Sequence, residues 1–261
     1  MGIGPLIAWR RASLRGLGMT FAWPAAFALA CGVILVALGA GSSIPGLVGY
    51  TFCAFALASI VLEFVRGTRA RHALGSSSWL GAFSSLVGRN RRRYGGYVVH
   101  VSIVLLAIGI VGSSAYDTTR DAQLRPGQSM SVAGYDLRYR GVEESRGANA
   151  QEIRAVVDVS RDGEQLGTLR PGKNRYFAEQ QVSNEAAIRS DPLNGEDLFL
   201  IADQIDGETV FLRVLVKPLV NLLWIAGFVF LAGAAIALWP DAREQRRLAV
   251  RYGRSEALAR A

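Results

Sequence analysis

Four long stretches without Asp, Glu, Lys or Arg dominate this chain: Phe21 to Ser43, Gly46 to Leu62, Tyr97 to Ala115 and Pro218 to Trp239. A helix needs about 20 apolar residues to cross a bilayer core of roughly 30 Å. The second stretch is the tightest, and it reaches that length once Phe64 and Val65 beyond Glu63 are counted. At 261 residues and 51% apolar, composition alone would also suit a soluble two-domain protein. The clustering of the apolar residues decides for an α-helical integral membrane protein with four spans.

The charges orient those spans. Arg10, Arg11 and Arg15 precede the first, and the link between the first two carries no charge. Seven arginines and no acid lie between Glu63 and the third span, and six more arginines follow Trp239. Short segments rich in Lys and Arg stay in the cytoplasm, which puts both termini and the middle loop inside. The same rule puts residues 116–213 outside, where 12 basic residues stand against 17 acidic ones. The net charge of +8 is therefore a topology signal. Nucleic-acid binding is excluded, because no cluster of base-contacting residues accompanies the charge.

The N-terminal apolar run is too long for a signal peptide, and it continues well past Cys31, which rules out a lipoprotein cleavage site. Cys31 and Cys53 both fall within spans and read as inert packing thiols. The outer segment reads as about six antiparallel strands in a small sandwich or open barrel. Asp162-Gly163 marks a type I′ hairpin, with Asn194-Gly195 and Asp206-Gly207 as further turn signals. It holds no His, no Cys and no metal-ligand spacing, and it is not expected to carry a catalytic centre.

The resulting division is a cytoplasmic N-terminal segment (1–20), two transmembrane helices (21–66) and a basic cytoplasmic loop (67–94). A third transmembrane helix (95–115) leads to the extracytoplasmic β domain (116–214). A fourth (218–239) leads to a cytoplasmic tail (240–261).

Two histidines exist. His72 lies in the basic loop and reads as a surface residue. His100 stands one turn inside a span, where an ionisable group costs a few kcal/mol even on lenient scales. It could bond a neighbouring helix, relay protons, or ligate haem iron. Two imidazoles bind iron from opposite faces, and no other span here supplies the second, so a haem ligand would need a partner chain or a second copy.

The stretch "NRRRYGGYVVHVSIVLLAIGIVGSSAY" closely resembles the C-terminal part of the CcmF family, the haem-lyase component of cytochrome c maturation. "MGIGPLIAWRRAS", "EFVRGTRAR" and "KPLVNLLWIAGFVFLAGAAIALWP" resemble further family motifs, and all four occur in the family's order. The resemblance implies an inner-membrane, multi-pass protein with a periplasmic β domain. It also implies a part in joining haem vinyl groups to the two thiols of an apocytochrome. By the same resemblance His100 is one axial ligand of a transmembrane haem b shared with a partner chain, and that partner holds the substrate haem transiently. Arg91, Arg92 and Arg93 are candidate contacts for the haem propionates.

The implied partners are an N-terminal CcmF half with a tryptophan-rich WWD segment, a CcmE-like haem chaperone, a CcmH-like apocytochrome-delivery subunit, and membrane lipids. This sequence lacks the WWD segment and the family's other histidines, so it looks like a split or truncated form, inactive as a lyase by itself. Two other classes stay open: a membrane scaffold or sensor without a cofactor, and a transporter subunit with His100 in a proton path.

Overall fold

The computed structural model describes residues 14–75, 78–178, 181–192 and 194–240, together with Val250. The first sequence motif, most of the N-terminal segment and nearly all of the tail lie outside the described residues. The chain divides into two compact units, residues 1–108 with 222–261, and residues 109–221.

The helical unit contains α1 (Leu14–Ala37), α2 (Ile44–Ala73), α3 (Trp79–Arg89), α4 (Arg91–Ala115) and α5 (Asn221–Leu238). All but α3 are long and apolar enough to cross a bilayer. A 3-10 turn, Ala40–Ser42, joins α1 to α2. Ser43 caps α2, its hydroxyl accepting from the Gly46 amide at 3.2 Å. Gly75, at φ 100°, closes the other end, its amide donating to the His72 carbonyl. Ser78 caps α3 in the same way, accepting from the Gly81 amide at 3.0 Å.

The stretch 67–94, expected as a loop, is helical over most of its length. It holds the last turns of α2, all of α3 and the first turn of α4. Its arginines are good helix formers, and the charge density that suggested a loop is compatible with helix. α3 packs its Ala82 and Leu86 inward and leaves Trp79, Leu80 and Phe83 exposed. His72 is not a free surface residue, because its ring stacks on Trp79 at 4.3 Å.

The second unit is a β-sandwich. Its strands are β1 (Thr118–Leu124), β2 (Ser129–Val132), β3 (Tyr135–Arg146), β4 (Ala150–Arg161) and β5 (Glu164–Leu169). They continue as β6 (Gly172–Tyr176), β7 (Val182–Glu185), β8 (Ala187–Asp191), β9 (Glu196–Asp206) and β10 (Thr209–Pro218). One sheet runs β1-β10-β9-β8. The other runs β2-β3-β4-β6-β7, with β5 pairing β4. Every pairing among them is antiparallel.

Ten strands replace the expected six, in two sheets and not an open barrel. The surplus strands are short, and β6, β7 and β8 lack the apolar alternation that makes a strand visible in sequence. β10 also runs on through Pro218, so α5 begins at Asn221, three residues later than the expected span. Asp162 and Gly163 both take positive φ, 52° and 83°, as the type I′ hairpin requires. Ala133-Gly134 does the same between β2 and β3, at 47° and 83°, without an Asn or Asp to announce it.

The core fills from both sheets. Tyr135, Leu137, Tyr139, Val157 and Val159 meet Leu198, Leu200, Leu212 and Val214, all at 0 or 1% exposure. The buried phenols need partners. Tyr139 donates to the Glu208 carbonyl at 2.9 Å, and Tyr135 donates to Glu196 Oε1 at 3.1 Å. Arg161 donates to the same carboxylate at 2.5 Å and lies 4.8 Å from the Tyr135 ring centre.

Burial holds the Tyr139 phenol above its ordinary range, and the Glu208 charge adds to it. Tyr135 is raised likewise, by burial first and by Glu196 second. Above the ordinary phenol pKa of about 10 the unfolded chain releases protons that the folded sandwich retains, so stability falls as pH rises. Tyr139→Phe should destabilise the sandwich by about 1 kcal/mol, and Leu200→Ala by about 2–5 kcal/mol. In denaturant titrations followed by circular dichroism, wild-type stability should decline above pH 10, and Tyr139→Phe should reduce that decline.

Candidate functional site

The site forms on α4, where Gly95 and Gly96 precede Tyr97 and His100. Successive residues of a helix are turned by about 100°, so the two glycines face different surroundings. A Cβ on Gly95 would stand 2.5 Å from the Ala237 amide nitrogen of α5. One turn on, a Cβ on Gly233 would stand 2.7 Å from the Val99 nitrogen. Small residues at these positions let the α4 and α5 backbones touch. Gly96 meets nothing within 4 Å. It lies on the face that α5 leaves uncovered.

His100 shares that face, one turn above Gly96. Its Nδ1 lies 2.7 Å from the Gly96 carbonyl oxygen. A carbonyl can only accept, so Nδ1 carries the proton and donates. In the neutral ring Nε2 is then the nitrogen that carries the lone pair, on the side of the imidazole away from the Gly96 carbonyl. A histidine that ligates a metal shows this arrangement, one ring nitrogen fixed by a backbone carbonyl and the other presented to the ion. The half-buried imidazole therefore fits an axial-ligand position for haem iron.

Tyr94 and Tyr97 turn toward α2 and α3. With Phe64 and Phe83 they form an aromatic cluster whose ring centres lie 5.2 to 5.9 Å apart along its contacts. Ile60 and Leu86 are buried in the same cluster. At its edge Arg93 meets Glu63 and Tyr97. The guanidinium donates from Nη2 to Glu63 Oε2 at 2.5 Å and from Nε to the Tyr97 hydroxyl at 2.8 Å. The Tyr97 hydroxyl donates to the same Glu63 oxygen at 3.3 Å. The Glu63 side chain is 13% exposed and that of Arg93 56%.

The three arginines singled out in the sequence therefore differ. Arg93 is seven residues before His100, two turns down the same face, whereas Arg91 and Arg92 fall on other sides of α4. Glu63 and Tyr97 were not expected as partners. The signal was present in the composition: Glu63 is the only acid in the first 116 residues.

The chain resembles known proteins over most of its length. Residues 115–218 match the family model described as the CcmF C-terminal β-sandwich. The chain is 30% identical over 245 residues to the cytochrome c-type biogenesis protein CycK of Rhizobium meliloti, covering 90% of this chain and 34% of that protein. It is 30% identical to the cytochrome c-type biogenesis protein CcmF of Pseudomonas aeruginosa, covering 91% and 35%. A solved structure titled cytochrome c haem lyase CcmF superposes with a TM-score of 0.71 at 25% identity, over 92% of this chain and 37% of that one. The chain thus spans about a third of the length of the relatives it matches.

The adjacent glycines give a direct test of the α4 geometry. Gly95→Ala should destabilise the helical unit by about 1–3 kcal/mol through overpacking, whereas Gly96→Ala, with open space for its Cβ, should stabilise it by up to about 1 kcal/mol through helix propensity. Thermal unfolding of the detergent-solubilised chain, variant against wild type, checks the contrast.

Proposed function

Because this chain corresponds to the C-terminal part of CcmF, we propose that it is a membrane subunit of a cytochrome c haem lyase and supplies one axial ligand of a transmembrane haem b. The observation that carries the reading is the 2.7 Å contact of His100 Nδ1 with the Gly96 carbonyl, which turns Nε2 outward on the face where Gly96 has open space. The resemblance adds the position of His100 after the "RRYGGY" motif.

In this reading the four apolar helices lie in the inner membrane, with both termini and residues 67–94 on the cytoplasmic side. The arginine distribution supports that orientation. The β-sandwich then lies in the periplasm, where its acidic surface provides a docking wall for a basic partner. The second axial ligand and the tryptophan-rich haem cradle come from a polypeptide equivalent to the remaining two thirds of CcmF. A haem chaperone and an apocytochrome-delivery subunit complete the assembly. The chain by itself is not a lyase.

With Nδ1–H donated to the Gly96 carbonyl, His100 offers Nε2 as the ligating nitrogen, and that bond fixes the orientation of the ring. Bound haem would supply one-electron exchange, the chemistry needed to keep the substrate iron reduced. The apolar residues flanking His100 on α4, Ile103 and Val104 among them, limit water around that nitrogen.

The test is a reduced-minus-oxidised and pyridine haemochrome spectrum of the purified chain, alone and co-expressed with an N-terminal CcmF half. A b-type spectrum should require both polypeptides and should disappear in His100→Ala. A b-type spectrum of unchanged intensity in His100→Ala would remove His100 from the site. No spectrum from a verified, folded complex would leave His100 as a helix-packing residue.

A further inference from the structure

Arg93 is held in a way that a topology signal does not require. Its Nε is engaged by Tyr97 and its Nη2 by Glu63, two groups on two different helices. The guanidinium is a rigid planar fork with five N–H donors, so fixing one edge fixes the direction of the other. Nη1 takes part in neither of these bonds, and more than half of the side-chain surface remains exposed. Such a fork matches a carboxylate with charged, paired hydrogen bonds.

The placement of this fork is the second observation. Arg93 and His100 are seven residues apart, which puts them on one side of α4 about 10 Å apart along its axis. Between them lies Gly96, with nothing within 4 Å of its Cβ position. The face thus presents an imidazole nitrogen, a flat glycine surface and then an oriented cation. A planar metallo-macrocycle with carboxylates on one rim has the same sequence of features. Gly96 lets its flat ring approach the helix closely.

We propose that Glu63 and Tyr97 are positioning residues that hold the Arg93 guanidinium as a carboxylate receptor on the His100 face. In that position Arg93 orients a bound haem with its propionate rim toward the N-terminal end of α4. The proposal rests on the axial-ligand reading of His100 and goes beyond it. It selects Arg93 among the three arginines, it fixes which way the macrocycle points, and it gives Glu63 a role. Glu63 lowers the cost of keeping the cation at the edge of the hydrocarbon, and Tyr97 fixes its direction. In each case the binding group is Arg93, through which the other two act.

The experiment uses the detergent-purified full chain, titrated with haem in the presence of free imidazole as the second axial ligand. Binding is read from the Soret band. A parallel titration uses haem dimethyl ester, in which both propionates are blocked. The wild type should bind haem about tenfold more tightly than the ester, the equivalent of one charge-assisted bond. Arg93→Gln should bind both alike, and Arg91→Gln should keep the preference. Glu63→Gln and Tyr97→Phe should reduce the preference while leaving the affinity for the ester unchanged. Should Arg93→Gln fail to fold around an unpaired Glu63, the double variant Glu63→Gln/Arg93→Gln removes both charges.

A preference for haem over its ester that survives in Arg93→Gln or in the double variant overturns the proposal. So does a wild type that does not distinguish the two. Equal losses for haem and ester in Glu63→Gln and Tyr97→Phe would reduce the cluster to a structural brace. Failure of the underlying reading shows separately: a Soret band that His100→Ala leaves unaltered removes the axial ligand, and the orientation proposal with it.

Discussion

A polar group in an apolar environment must find its partner within the protein, and the helical unit is organised by how few such groups it contains. In hydrocarbon the backbone satisfies itself inside each helix. What remains is a handful of side chains, and each is resolved locally. Ser59 donates to the Phe55 carbonyl at 2.8 Å and Ser102 to the Val99 carbonyl at 2.6 Å, both back along their own helices. His100 uses the Gly96 carbonyl in the same manner, but an imidazole has a second nitrogen that its own helix cannot reach. Glu63 instead finds Arg93 and Tyr97 on another helix, and those bonds tie α2 to α4, as the 3.1 Å bond from Arg71 to Ser85 ties α2 to α3.

The β-sandwich follows the same requirement with more room. Its core is made by alternation along β3, β4, β9 and β10, and the two phenols buried in it carry their hydroxyls to partners contributed by the opposite sheet. Tyr135 and Arg161 converge on Glu196, whose register position beside Pro218 is at the last pair of the β9–β10 ladder. A buried aromatic layer and a polar clasp at its edge recur in both units, built once from strands and once from helices.

Much of this was legible in the sequence because membrane spans and long hairpins are dictated by local pattern. The four apolar runs give four helices, and Asp162-Gly163 gives its hairpin. His100 is conspicuous because it is an ionisable group in an apolar run. Other features were hidden for physical reasons. Short strands such as β7, with two polar residues and one acid in four positions, carry no alternation. α3 is concealed by arginines on either side of it. Ala133-Gly134 makes a type I′ turn in which Ala accepts a positive φ, and nothing in that dipeptide requires it. The Glu63–Arg93 pair joins residues 30 positions apart, and sequence spacing within a single helix cannot reveal it.

Gly95 and Gly96 look interchangeable in the sequence, yet one is a contact surface for α5 and the other is not. Their difference is purely one of phase, since each residue added or removed turns the rest of a helix by about 100°. A deletion between Arg93 and His100 would bring no clash of its own. It would nonetheless move the α5 seam, the aromatic cluster and the imidazole face out of step with one another. This stretch of α4 therefore works as a counting device, tolerant of many exchanges of side chain but not of a change in length. The sandwich strands keep a phase of their own, two residues long, so a one-residue slip would turn the buried side chains of β3 or β10 outward. Variation in chain length belongs in the connecting loops.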